Sequence, residues 1–130
     1  MPKAVLIVED EENIRETLVE LFDVPSNATT NAATLDQALV ELKARPYDLI
    51  VTDIRLGGKR DGGLQVMAAS GLLSPEATVI VLTAYPDEDN RFASLRLGAT
   101  HFLEKPVDLR TIAGLAQQAG VTTAMDAPAT

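Results

Sequence analysis

Apolar residues follow two rhythms along this chain. Short unbroken runs, Ala4 to Val8, Leu49 to Val51 and Val79 to Leu82, have the length and branched content of strands buried on both faces. Between them, apolar positions recur every three or four residues, the stripe of a helix lying on a sheet. Ile14, Leu18, Leu21 and Phe22 form the first stripe, with Pro25 beyond its end. A weaker strand is expected around Ala28 to Ala32. Thr34-Leu35-Asp36-Gln37 then has the form of a capping box, ahead of a stripe of Leu35, Ala38, Leu39 and Leu42 that stops before Pro46. The third strand ends at Asp53. A turn-forming loop, Gly57 to Gly63, precedes a third helix from about Leu64 to Leu72, which Ser74-Pro75 breaks. Thr78 to Thr83 reads as a fourth strand, and Pro86-Asp87 opens a fourth helix carrying Phe92 and Leu95 and ended by Gly98. Thr100 to Glu104 is a short fifth strand. Asp108 caps a last helix with the stripe Leu109, Ile112, Ala113 and Ala116.

Five strand and helix units with short connections imply right-handed crossovers. The expected fold is therefore α/β: a flavodoxin-like, doubly wound, five-stranded parallel sheet of order 2-1-3-4-5 with five helices. At 130 residues the chain has the size of one domain. Being 46% hydrophobic but only 4% aromatic, it must build its core from Val, Leu, Ile and Ala. Residues 1–119 are expected to form the domain, and the small and polar residues 120–130 a flexible tail or the start of a linker.

Open α/β sheets place their sites at the carboxyl ends of the strands. The acidic pair Glu9-Asp10, then Asp53, Thr83 and Lys105 all fall there. In the 2-1-3-4-5 order strands 1 and 3 are neighbours, so three carboxylates crowd together. Such clustering of like charge calls for a divalent cation or for proton uptake. Hard oxygen donors with no His or Cys beside them favour Mg²⁺ over zinc.

Charge and composition remove other functions. A net charge of −8 without a basic stripe argues against direct nucleic-acid binding. The absence of cysteine rules out disulfides and zinc-thiolate sites. No apolar run approaches the ~20 residues of a membrane span, and Met1-Pro2-Lys3 leads straight into a strand, so the expected location is cytoplasmic.

Together these residues resemble the receiver domain of two-component response regulators. The resemblance covers roughly residues 3–119 and rests on the acidic pair in Leu6-Ile7-Val8-Glu9-Asp10-Glu11, the aspartate in Val51-Thr52-Asp53-Ile54-Arg55-Leu56, and Thr83-Ala84 after its strand. Gly98-Ala99 and Lys105-Pro106, a cis-prolyl pair in the family, complete it. The resemblance implies that Asp53 accepts a phosphoryl group from a sensor histidine kinase. Asp10, Asp53 and the backbone carbonyl of Arg55 would hold Mg²⁺, with Glu9 acting mostly through bound water. Thr83 and Lys105 would each contact a phosphoryl oxygen. Such a domain assists its own phosphotransfer and is not an enzyme in the usual sense. Its signal would be read on the face of helix 4, strand 5 and helix 5 by an output protein, a fused output domain or a second copy. The alternative from another class is a pseudo-receiver, an interaction module that is not phosphorylated.

Several features depart from the family pattern or stand outside the constellation. The loop Gly57 to Gly63 is about two residues longer than usual and carries Lys59 and Arg60 beside an acidic edge. The third helix has no charged residue, which implies either cover by a partner or deep packing. His101 lies in an alternating short strand and reads as structural or surface. Phe102 is either core or the aromatic that the family couples to the Thr83 position. Arg55 and Tyr85, each two residues past a site residue, are expected to restrict water and prolong the phosphorylated state.

Overall fold

The computed structural model describes residues 2–57, 62–84 and 86–126. In chain order the elements are β1 (Lys3–Val8), α1 (Glu12–Phe22), β2 (Asn27–Ala32), α2 (Leu35–Ala44) and β3 (Leu49–Asp53). They continue as α3 (Gly62–Leu73), β4 (Thr78–Thr83), α4 (Glu88–Arg96), β5 (His101–Glu104) and α5 (Leu109–Gln118). The sheet is parallel throughout, in the order β2-β1-β3-β4-β5. The doubly wound fold expected from the pattern is the one formed.

Strand alternation sorts the core into two layers. Leu6, Val8, Ile50, Val79 and Val81 face one side, where Leu35, Ala38 and Leu42 of α2 and Val66 and Met67 of α3 cover them. Val5, Ile7, Leu49, Val51, Ile80 and Leu82 face the other, under Leu18, Leu21 and Phe22 of α1 and Ile112, Ala113 and Ala116 of α5. Asp48 fixes the β1–β3 register through its side chain, which accepts from Ala4 N at 2.8 Å, and its own N–H, which donates to Ala4 O at 2.8 Å.

The caps form where the side-chain chemistry places them. Thr34 Oγ1 accepts from Gln37 N at 3.1 Å, while Gln37 Oε1 accepts from Ala33 N at 2.8 Å, so the box closes one residue before the cap. Asp87 and Asp108 cap α4 and α5 by accepting from Asn90 N and Arg110 N.

Two stretches differ from expectation. α3 begins at Gly62, two residues early, because glycines let its first turn press against β3. The stretch after Gly120, read as a loose tail, packs back onto the domain through residue 126. Val121 and Thr123 are buried, and a short 3₁₀ turn, Ala124–Asp126, rests on α1 and α5. Asn27 Nδ2 holds this segment by donating to Thr122 O at 2.8 Å. Residues 127–130 lie outside the described residues.

Candidate functional site

The strand ends meet as the topology requires. β1 delivers Glu9 and Asp10, and pairing continues past it, since Glu9 N donates to Ala32 O at 3.0 Å. β3 delivers Asp53, and register sets Val8 beside Thr52 and Asp53 beside Leu82. Oxygen atoms of Glu9, Asp10 and Asp53 all lie within 4.8 Å of one another. Thr83, fully buried, ends β4 opposite Glu104. One residue further on, Lys105 N donates to Thr83 O at 2.8 Å, which aims the lysine back across the sheet edge. The bond that follows, Lys105–Pro106, is cis, as the resemblance implied.

Lys105 joins the two sides of the acid cluster. Its Nζ donates to Glu9 Oε1 at 2.5 Å and to Asp53 Oδ2 at 2.8 Å. Charge-assisted bonds of this kind are the strong class, and here they offset part of the repulsion among three carboxylates. Glu9 is only 1% exposed, and burial is the main reason its pKa rises to about 7, against the opposing hydrogen bond from Lys105. Its contact with Asp10 pushes in the same direction as burial. Burial works against the Asp10 carboxylate too, but bonds from the Glu9 side chain and the Gly57 N–H outweigh it and hold Asp10 below the usual carboxylate range. Lys105 is likewise penalised by burial, yet its bonds to Asp53 and Glu9 raise it above an ordinary lysine. The cluster can therefore exchange a proton or an ammonium contact for a cation.

Backbone and helix groups hold these side chains. Arg55 N faces Asp53 Oδ1 at 3.4 Å, and Gly57 N donates to Asp10 Oδ2 at 3.1 Å. Arg15, one turn into α1, donates from Nη1 to Glu9 O at 3.0 Å and reaches Asp10 O at 3.4 Å. Sequence reading missed Arg15. The available signal was a lone cation among Glu11, Glu12 and Glu16, one helical turn from the acidic pair.

Other expectations are placed as follows. Tyr85 and residues 58–61, including Lys59 and Arg60, lie outside the described residues. His101 is half-buried in β5, paired in register with Ile80. Phe102 is half-buried against the layer that contains Val66 and Met67. α3 buries Val66, Met67 and Ser70 but leaves Leu72 and Leu73 at the surface, so its lack of charge does not reflect complete burial. Beside Lys105, a cleft of about 520 Å³ opens between α1 and α5, lined by Ile14, Leu18, Leu82, Pro106, Val107 and Ile112 among others.

A parallel α/β domain with an acid trio, a threonine and a lysine at the carboxyl edge of its sheet has the layout of a receiver. Comparison with known proteins agrees: residues 5–117 match the family described as response regulator receiver domain. The chain belongs to that family. It is 38% identical over 105 residues to response regulator protein PilR of Pseudomonas aeruginosa, covering 80% of this chain and 23% of that protein. It is 34% identical over 113 residues to sporulation initiation phosphotransferase F of Bacillus subtilis, covering 86% of this chain and 89% of that one. A response regulator from Burkholderia pseudomallei, solved with a phosphorylated aspartic acid, calcium ion and citrate, superposes with a TM-score of 0.76 at 27% identity, covering 98% of this chain and 76% of that chain. A receiver domain protein from Methanospirillum hungatei shares the fold with a TM-score of 0.83 at 24% identity, over 91% of this chain and 93% of its own. The chain spans only about a quarter of the first curated relatives it matches. Among the described residues no helix is long and apolar enough to cross a membrane.

Proposed function

We propose that this domain is a phosphoacceptor in which Asp53 receives a phosphoryl group from a histidine kinase. A carboxylate oxygen of Asp53 attacks phosphorus, the phosphorus–nitrogen bond of the donor phosphohistidine breaks, and the imidazole leaves with that electron pair. The product is an acyl phosphate on Asp53. The observation that carries this reading is the reach of Lys105 Nζ to Asp53 Oδ2 at 2.8 Å, which puts a fixed ammonium where phosphoryl charge would arrive. Thr83 ends the neighbouring strand and would donate to a second phosphoryl oxygen. The incoming group would draw Lys105 from its carboxylate contact onto a phosphoryl oxygen.

The oxygen donors fit Mg²⁺, with Asp10, Asp53 and the Arg55 carbonyl as ligands and Glu9 acting mainly through water. When bound, the ion would neutralise charge on the transferring group. The apolar cleft between α1 and α5 borders Lys105 and suits a helix of the kinase that carries the phosphohistidine. The signal would be read on α4, β5 and α5, by an output domain, a separate output protein or a second copy. Arg55, whose amide lies 3.4 Å from Asp53 Oδ1, flanks the acceptor and would slow hydrolysis of its phosphate.

Acetyl phosphate with Mg²⁺ tests the reading. Intact-mass analysis should show one added phosphoryl group, mapped to Asp53 and absent from Asp53→Asn. A wild type that stays unmodified, with a kinase failing as well, would instead indicate a pseudo-receiver that works by binding.

A further inference from the structure

The start of α3 touches the phosphoacceptor strand more closely than any side chain would allow. A Cβ built on Gly63 would lie 2.0 Å from Asp53 O and 2.6 Å from Ile54 Cα, both of them backbone atoms. Gly63 N also donates to Ile54 O at 2.7 Å, while Thr52 Oγ1 donates to Asp53 O at 2.9 Å. The carbonyls of Asp53 and Ile54 are thus held in succession, and the next carbonyl along the chain is that of Arg55.

From these contacts we infer that Gly63 is a positioning residue for the metal: the bare face of α3 seats the Asp53–Arg55 backbone so that the Arg55 carbonyl and the Asp53 carboxylate present together to Mg²⁺. The inference rests on the phosphoacceptor reading above. A methyl group at Gly63 cannot be accommodated by rotating a side chain, because its obstacles are main-chain atoms. Either α3 or the acceptor segment has to move. The hydrogen bond from Gly63 N to Ile54 O couples the two, so the displacement reaches the acceptor segment. Gly62 supplies the contrast one residue earlier, where the three atoms nearest an added Cβ are all in the Leu56 side chain, Cβ at 3.0 Å and Cγ and Cδ1 at 3.3 Å.

The test is Mg²⁺ affinity of the purified full chain by calorimetry, alongside far-UV circular dichroism. Gly63→Ala should weaken Mg²⁺ binding by ~10-fold or more, the size typical of lost support behind a metal ligand. Gly62→Ala should change it by less than about 3-fold, since a small shift at Leu56 relieves its contact and no backbone atom of the acceptor segment is among the three nearest. Gly71, with nothing within 4 Å of a Cβ built on it, allows Gly71→Ala to be added as a helix-stabilising background should Gly63→Ala fold poorly. A second readout needs no variant. In the wild type, saturating Mg²⁺ should slow hydrogen exchange of the Gly63 amide more than that of Val66 and Met67 further along α3. A folded Gly63→Ala with wild-type affinity overturns the inference, and so does a Gly63 amide that slows no more than those two. A wild type that binds no Mg²⁺ overturns the phosphoacceptor reading instead.

Discussion

α1 and α4 border the same sheet edge yet are held in opposite ways. α1 sinks Leu18, Leu21 and Phe22 into the core, and its Arg15 ties it to the loop that carries Glu9 and Asp10. α4 buries one residue, Ser94, whose Oγ is enclosed without a hydrogen-bond partner among the described residues. Its larger apolar side chains point away, with Phe92 66% and Leu95 47% exposed. One helix is fixed by shape and contact area. The other is defined chiefly by its own caps, such as Asp87 Oδ1 accepting from Asn90 N at 2.8 Å. Motion is drawn from the weakly anchored parts of a fold, so on the proposed phosphoacceptor reading α4 is the element to be displaced at low cost while α1 stays as a platform.

The comparison can be broken most directly at its aromatic residues. Phe22→Ala should destabilise the domain by about 3–5 kcal/mol in urea unfolding, since it removes a fully buried ring. A loss below about 1 kcal/mol would show that α1 is no better anchored than α4.

A second test exploits the charge at the head of α1. Glu9 has a folded pKa of about 7 against an ordinary 4.5, so between those values the native state holds more protons than the unfolded chain. The stabilisation from this group is complete below about pH 4.5 and is lost as pH rises through about 7. Asp10 is shifted down and Lys105 up, so both act outside that window. In buffer containing a chelator, the urea midpoint of the wild type should fall from pH 5 to pH 8, and Glu9→Gln should flatten the change. An unchanged slope in the variant would place the titration elsewhere.

Smaller effects belong to α4. Ser94→Ala removes a buried hydroxyl that lacks a partner and should stabilise by about 1 kcal/mol, measured in the same way. A clear loss would mean that the hydroxyl is bonded after all. Phe92→Ala should change stability by no more than about 0.5 kcal/mol, as expected of an exposed position. A cost similar to that of Phe22→Ala would erase the distinction between the helices.

What could be read from the chain, and what could not, follows the range of the interactions. β1, β3 and β4 and the stripes of α1, α2 and α5 are written in local periodicity, and Glu9, Asp10, Asp53 and Thr83 sit at the ends of those strands, whereas β2 is largely polar and is read only weakly. α4 carries no such stripe, because Phe92 and Leu95 face out and Ser94 faces in. The bond from Lys105 to Glu9 spans 96 positions and that from Asn27 to Thr122 spans 95, and no local pattern encodes either pairing. Small, polar residues after Gly120 resemble a loose end, and only the tertiary fold shows that Val121 and Thr123 fill gaps beneath the sheet. The crowding at Gly63 is equally silent, since a glycine pair in a loop reads as freedom when here it serves close contact.

The bond from Asn27 also has a mechanical meaning. The same amide that donates to Thr122 O donates to Phe22 O at 3.0 Å, so the far end of α1 and the strand of chain leaving α5 are pinned to one point. The cleft between the two helices lies at their other ends, beside Lys105 and Pro106. Pinned at one end and open at the other, the pair has the outline of a clothes-peg, with Asn27 at the closed end and Lys105 and Pro106 at the mouth.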